Sequence, residues 1–302
     1  MIQALFRPMG RTLRVDTDSE AILAIAQETF GRFGPATGEP DVVLRLFADG
    51  PPDGQVTSPA FRAHGVLVFQ NAGPGAILVG AREEGLAIGS FSPAALATPA
   101  FFRCHFLHFG FLCMLASRGL MAVHGSALVK DGQAILLRGA SGSGKTTLAY
   151  AGARSRFQAL AEDVVWVDLE ADLWRGMPWH FHLLPDAARI FPELEGLPAT
   201  LESAGKMKLE VDLEAVRTGS TAVEARPGPV VLLDRAGGRE SRLERLDLPA
   251  ALEAWSRCPA GLEESFPGYL QHVETLLGRG AWRLRAGTDL DGALDLLESL
   301  FE

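Results

Sequence analysis

The chain has 302 residues, which at about 150 residues per domain points to two structural units, or to one large unit with an appendage. Hydrophobic residues make up 47% and charged residues 22%, so there is enough apolar surface to build a core, and global disorder is excluded. The net charge of −9 argues against a broad basic face for nucleic acid or anionic lipid, while leaving room for a local anion site.

Three cysteines, Cys104, Cys113 and Cys258, are odd in number and lack CxxC spacing. That argues against a disulfide framework or a structural zinc and for a reducing compartment. Met1 to Arg14 has basic residues but no apolar core of signal-peptide length. The most apolar stretch, Cys104 to Ala116, is about 13 residues long and contains His105 and His108, short of the roughly 20 needed to span a bilayer. A cytoplasmic protein without membrane insertion is the expectation.

In chain order, Thr17 to Phe33 reads as a helix, with Thr17 and Glu20 at capping-box spacing and Ile22, Leu23, Ile25 and Ala26 at helical intervals. Short β-type runs follow at Val42–Phe47, Val66–Gln70, Ala76–Gly80 and Leu86–Phe91, separated by turn residues such as those from Asn71 to Gly75. They suggest an antiparallel meander. Residues 1–95 gather no catalytic residue types and are assigned to a small α+β accessory domain. From Pro99 to about Ser117 an aromatic-rich helix is expected, read as a packing element that could equally face a partner. The remainder, 96–302, is taken as a second, α/β domain. Its start holds two strands, Ala127–Val129 and Ala134–Leu137, joined as a hairpin by Lys130-Asp-Gly132.

The segment Gly139-Ala-Ser-Gly-Ser-Gly144-Lys145-Thr146 fits G-x-x-x-x-G-K-[ST] and lies between an apolar strand and a helix-compatible run. Glycines let such a loop fold tightly enough for backbone N–H groups to point inward at phosphate oxygens. The helix that follows adds its positive end. Gly139, Ser141, Gly142, Ser143, Gly144, Lys145, Thr146 and Thr147 are therefore the candidate nucleotide-binding residues, with Lys145 on the phosphates and Thr146 on Mg²⁺. Lysine usage points the same way, because only four lysines occur against 24 arginines. Lysine should persist where a compact point charge is required. Lys206 and Lys208, two apart and so on one face of a strand, are candidates to reach a transferred phosphate. A solvated strand face is the alternative.

A phosphate loop that transfers to a hydroxyl also needs a metal-side carboxylate and a base. Glu162-Asp163, which breaks the apolar run from Ala159 to Val167, supplies both residue types, and Asp163 is preferred for its shorter arm. Asp234, at the end of Val231-Leu-Leu-Asp234, is a weaker candidate because Arg235 follows it rather than a glutamate. His124, about twenty residues before Lys145, precedes the strand expected beside the loop strand and could orient a carboxylate or ligate a metal.

His124-Gly-Ser-Ala127, the Lys130-Asp-Gly132 hairpin, the run from Arg138 to Ala149 and Ala161-Glu-Asp-Val-Val165 together resemble the C-terminal kinase domain of HPr kinase/phosphorylase. More loosely they are similar to ATP-dependent phosphoenolpyruvate carboxykinase. The resemblance spans roughly residues 120–215. It implies a P-loop kinase domain with a mixed sheet, dependent on ATP and Mg²⁺; from the loop and the acidic pair, Thr146 and Asp163 are the expected metal ligands. Glu162 and Asp163 correspond to the acidic pair containing the base, and His124 to the histidine beside it. Ring formation among related kinases adds a homo-oligomer to the expectations.

Two departures shape the substrate. The family has two aspartates where this chain has Glu162-Asp163, and the Arg/Gly-rich signature of HPr kinases is replaced by Trp179 to Pro185 and by Lys206-Met-Lys208. The chain is thus more similar to HPr-kinase-related proteins, some of which phosphorylate serine in peptide precursors. His180 and His182 alternate on one strand face; they are read as packing or exposed residues, with metal binding as the alternative. The leading expectation is a kinase acting on a hydroxyl, of serine in a peptide or small protein. A metabolite kinase and a non-catalytic nucleotide-gated binding protein are the alternatives. An ABC-type ATPase is disfavoured by the absence of an LSGGQ-like segment.

Overall fold

The chain divides into two units, Met1–Leu120 and Met121–Glu302, in a computed structural model that describes residues 1–203, 206–235, 237–258 and 262–301. Both units are mixed α/β.

The first unit is built on seven strands: β1 Ile2–Phe6, β2 Leu13–Thr17, β3 Val42–Phe47, β4 Ala60–His64, β5 Leu67–Asn71, β6 Ala76–Ala81 and β7 Leu86–Phe91. They lie in the order β1-β2-β3-β7-β6-β5-β4. β4 to β7 form the antiparallel meander that the turn signals suggest. β3, however, is inserted parallel to both β2 and β7. The helix Glu20–Phe30 lies between β2 and β3 in the chain, and a parallel pair requires a crossover of that length. Its N-cap is Ser19, whose Oγ accepts from the Ile22 N–H at 3.4 Å. Thr17, expected in that role, ends β2, and its hydroxyl accepts from the Ser19 N–H. The edge strand β4 is exposed along its whole length, so no alternation marks it in the sequence.

The aromatic run is three short helical pieces, Pro99–Phe102, a π-type turn Arg103–His108, and Phe109–Leu112, in place of one regular helix. Phe102, Phe106 and Phe111 are fully buried. Phe91 at the end of β7 meets Phe102 and Phe106 edge-on at 4.7 and 5.0 Å, and Phe30 meets Phe111 at 5.6 Å. These contacts tie the run to the first sheet, which is why the chain divides after Leu120 and not at residue 95.

The second unit holds β8 Leu120–His124, β9 Ser126–Lys130, β10 Gln133–Arg138, β11 Gln158–Ala161, β12 Val164–Asp168, β13 Leu173–Arg175, β14 His180–Leu183, β15 Ala199–Ser203, β16 Lys206–Asp212, β17 Glu224–Arg235, β18 Arg242–Leu246 and β19 Ala281–Ala286. The main sheet runs β11-β9-β10-β17-β13-β12-β8, and the C-terminal part of β17 also pairs with β19, which pairs with β18. β9 and β10 form the expected hairpin, with Asp131 and Gly132 both at positive φ as a two-residue turn demands. β10 and β17 are parallel. A single residue, Gly125, joins β8 to β9, although β8 ends the order and β9 is second from its other end, so the sheet bends back on itself. There is no room for a side chain at that joint, since a Cβ on Gly125 would lie 2.7 Å from the Leu137 carbonyl oxygen.

One sheet face, with Met121, Val123, Leu136, Val165 and Leu232, packs against Trp255 and Val273 of the helices Leu248–Ser256 and Tyr269–Gly278. The other, with Leu128, Ile135 and Leu137, packs against the helices Lys145–Ser155 and Leu290–Glu298. The small sheet β14-β16-β15 sends Phe181, Leu183, Leu209 and Val211 into that second cluster. No helix among the described residues is long and apolar enough to cross a membrane.

Phe106 tests the boundary. Phe106→Ala should destabilise the first unit by about 3–5 kcal/mol through lost burial and an unfilled cavity. Urea unfolding followed by circular dichroism would show the shift, and an unchanged midpoint would mean that the run does not pack on this sheet.

Candidate functional site

The loop from Gly139 to Gly144 leaves the end of β10 and enters the helix Lys145–Ser155. Gly142 and Gly144 hold φ of 79° and 99°, a left-handed backbone that side chains with a Cβ rarely adopt. Gly139 meets a different limit, because a Cβ there would sit 2.7 Å from Ser143 Oγ and 2.8 Å from the Leu233 carbonyl. Ala140, Ser141 and Gly142 are exposed, Ser143 is buried, and Thr146 and Thr147 are half-buried in the first helical turn. The Lys145 ammonium folds back over the loop and donates to the carbonyls of Gly139 at 2.7 Å and Ala140 at 3.2 Å. Burial lowers its pKa, and the Asp163 carboxylate opposes that shift. The Ser143 hydroxyl is buried with no hydrogen-bond partner among the described residues.

Asp163 stands near the loop because two chain crossings lie side by side. β8 passes to β9 through Gly125, and β11 passes to β12 through Glu162 and Asp163. The Gly125 N–H donates to the Asp163 carbonyl at 2.8 Å, and the Ser126 hydroxyl donates to the Glu162 carbonyl. His124 ends β8 rather than opening a strand, and its Nδ1 lies 3.3 Å from Asp163 Oδ1. β9 begins opposite the end of β10, Ser126 facing Leu137, so this junction is at the loop end of the hairpin.

Glu162 faces elsewhere. It is buried, and its Oε2 lies 2.8 Å from His182 Nδ1 while accepting the His182 backbone N–H at 3.1 Å. Glu210 on β16 approaches His182 Nε2 at 3.4 Å. Burial alone would pull the His182 pKa down, but bonds to Glu162 and Glu210 and their charges carry it up to about 9. His182 is therefore a paired cation, not merely a packing residue, and Glu162 is committed to it. Lys206 is exposed and Lys208 half-buried on β16; by alternation they share the strand face of Glu210, opposite the buried Leu209 and Val211. Gly205, which precedes them, lies outside the described residues. Asp234 is exposed at the end of β17, two residues past the partner of Arg138, with Arg283 Nε at 3.5 Å.

Sequence reasoning missed the structure beneath the loop. Arg138, fully buried, shares its Nη1 between Glu263 Oε1 at 3.0 Å, Glu263 Oε2 at 3.1 Å and the His124 carbonyl at 2.9 Å. Glu263 Oε1 accepts the His124 N–H at 2.7 Å, and Oε2 accepts the Tyr269 hydroxyl at 2.8 Å. Arg138 also lies over Trp255, with Cζ 3.9 Å from the ring centroid. An arginine ending the apolar strand Ala134–Leu137 was the available signal; nothing distinguishes Glu263 from its neighbour Glu264 in the sequence.

No family model matches the chain. A search of curated proteins likewise gives no match. Among solved structures, the Hpr(Ser) kinase/phosphatase from Coxiella burnetii is similar at 13% sequence identity and a TM-score of 0.33, over 60% of this chain and 93% of that one. A TM-score that low does not establish a shared fold.

The paired His182 gives a pH signature. Its folded pKa of about 9 lies above its unfolded value of about 6.5, so its contribution to stability is complete below the unfolded value and is lost as pH rises through about 9. Unfolding midpoints of wild type and His182→Gln should differ most near pH 6 and converge towards pH 10. A gap that is constant across that range would exclude a charged, carboxylate-paired His182.

Proposed function

We propose that the chain is an ATP- and Mg²⁺-dependent kinase that transfers the γ-phosphate to a hydroxyl, that of serine in a peptide or small protein, in the cytoplasm. One observation carries this reading: an exposed carboxylate, Asp163, paired with His124, lies close enough to the loop lysine for its charge to oppose the burial of that ammonium. A phosphate loop alone supports binding. A loop with an exposed, histidine-oriented carboxylate beside it supports transfer.

The residues suit a nucleotide. Among the described residues the buried Ser143 hydroxyl has no hydrogen-bond partner and Lys145 donates to carbonyls of its own loop, while the loop carries left-handed glycines. Gly139, Ser141, Gly142, Ser143, Gly144 and Lys145 would hold the phosphates, with Thr147 in the same helical turn, while Thr146 and Asp163 would hold Mg²⁺. No group of three or more His, Cys, Asp or Glu among the described residues is arranged to hold a metal. A magnesium ion here would take most of its ligands from phosphate and water, its usual habit. Bound ATP supplies the phosphoryl group, and the metal offsets its charge.

The chain's own part is positioning and proton acceptance. Asp163 takes the acceptor hydroxyl proton on its carboxylate, and His124 fixes the orientation of Oδ1. Lys145 offers the phosphates a compact ammonium that is poorly hydrated and therefore strongly attractive. Glu162 is neutralised by His182 and acts through that ion pair, holding β14 against the acidic junction. Lys206 and Lys208 lie on the strand face of Glu210, which approaches His182, and a role on the transferred phosphate would need β16 to approach the loop.

Labelling of serine-containing peptides and small proteins with radioactive ATP tests the proposal. Wild type should transfer label, and Asp163→Asn should lose about 10²–10⁴-fold in rate while still binding nucleotide. Lys145→Ala should weaken nucleotide binding itself. Tight ATP binding by the wild type without transfer to any acceptor would replace the kinase with a nucleotide-gated binding protein. Wild-type rates in Lys206→Ala and Lys208→Ala would remove both lysines from the site.

A further inference from the structure

The buried network beneath the loop has a geometry that packing alone does not require. Glu263 takes the N–H of the His124 residue and Arg138 takes its carbonyl, so both peptide groups flanking one α-carbon are gripped by a single ion pair. That pair is enclosed, at 1% and 3% side-chain exposure. Its lid is aromatic: Trp255 covers the guanidinium, and Tyr269 donates to Glu263 while accepting from Trp255 Nε1.

Resting on the kinase reading above, we propose that Arg138 and Glu263 are positioning residues that act through His124. They hold its imidazole against Asp163 and, through the next amide, hold the Asp163 backbone as well. Arg138 is also the last residue of β10, but among the described residues its side-chain bonds go to His124 and Glu263 and none to the loop that follows, so the anchor acts on the acid–histidine pair. The need for an anchor follows from exposure. The side chains of His124 and Asp163 are 34% and 65% exposed, and a pair so open to water does not hold its own geometry. Transfer chemistry tolerates displacements of only about 0.5 Å. A well-packed apolar pair could match the stability of the buried ions, but it could not bond to either side of the His124 peptide. It follows that the turn Leu262–Ser265 and the helix Tyr269–Gly278 complete the site from beneath.

The test compares wild type with the double variant Arg138→Met/Glu263→Leu and with Tyr269→Phe, each in the full chain. In the double variant the His124 and Gly125 amides should exchange with solvent hydrogen at least about 10-fold faster relative to amides of the β9–β10 hairpin, which separates local release from a global loss of stability. Tyr269→Phe, which keeps the ion pair and so the fold, should speed the same amides by a smaller factor. Nucleotide affinity should stay within about threefold, while kcat for transfer falls at least about 30-fold with KM for ATP little changed. In a His124→Ala background the double substitution should cost less than about threefold more, because its effect already runs through that residue. Wild-type exchange at His124 and Gly125 in both variants would overturn the proposal, as would losses that multiply fully with His124→Ala. Exchange needs no substrate. If wild type transfers no phosphate, the kinase reading fails on its own account and the anchoring of His124 is still decided by the amides.

Discussion

Gly125 donates its N–H to the Asp163 carbonyl where two strand-to-strand crossings meet, and much of the second unit depends on that meeting. The sheet path begins with β11 and ends with β8, yet one residue links β8 to β9. Only a sheet that bends back can satisfy both conditions, and the bend brings His124 and Asp163 together at the end of β10. Substitution at the joint is restricted by the Leu137 carbonyl, so the crossing depends on the absence of a side chain at residue 125.

Charge is divided between buried and open positions with opposite consequences. Arg138 and Glu263 are desolvated, and removing one partner of such a pair costs about 3–5 kcal/mol because the other is left uncompensated. His124 and Asp163 are exposed enough that their attraction contributes on the order of 0–1 kcal/mol. The second pair therefore takes its geometry from the first and from the backbone, not from its own strength. Glu162, one residue from Asp163, is withdrawn from solvent and bound to a cationic His182. Of the two adjacent carboxylates, one serves the fold and the other remains available.

The first unit follows a simpler economy of burial. Its sheet buries Leu44, Leu78, Ala87 and Phe91 under the helix Glu20–Phe30 and the aromatic run, while Ile77, Val79 and Ile88 lie on the exposed side. The histidines of the aromatic run sit among ring contacts, Phe30 with His108 and Phe101 with His105, as the packing reading of that run expects.

Contiguous chemistry was legible in the sequence. The glycine-rich turn from strand to helix at Gly139–Gly144, the Asp131-Gly132 hairpin and the strands Val42–Phe47 and Leu86–Phe91 are set by neighbours within a few residues, where backbone preference and alternation act directly. His124 beside the acidic pair is what the resemblance implies; which of the two carboxylates it meets depends on the sheet bending. The roles of Arg138, Glu162 and Glu263 were decided by tertiary structure alone. Glu162 and His182 are 20 positions apart, Arg138 and Glu263 are 125 apart, and His124 and Glu263 are 139 apart. No local propensity acts over such separations. A carboxylate reads the same in the chain whether it will face water or a buried arginine, and only the packed fold assigns it a partner by removing the water that would otherwise compete.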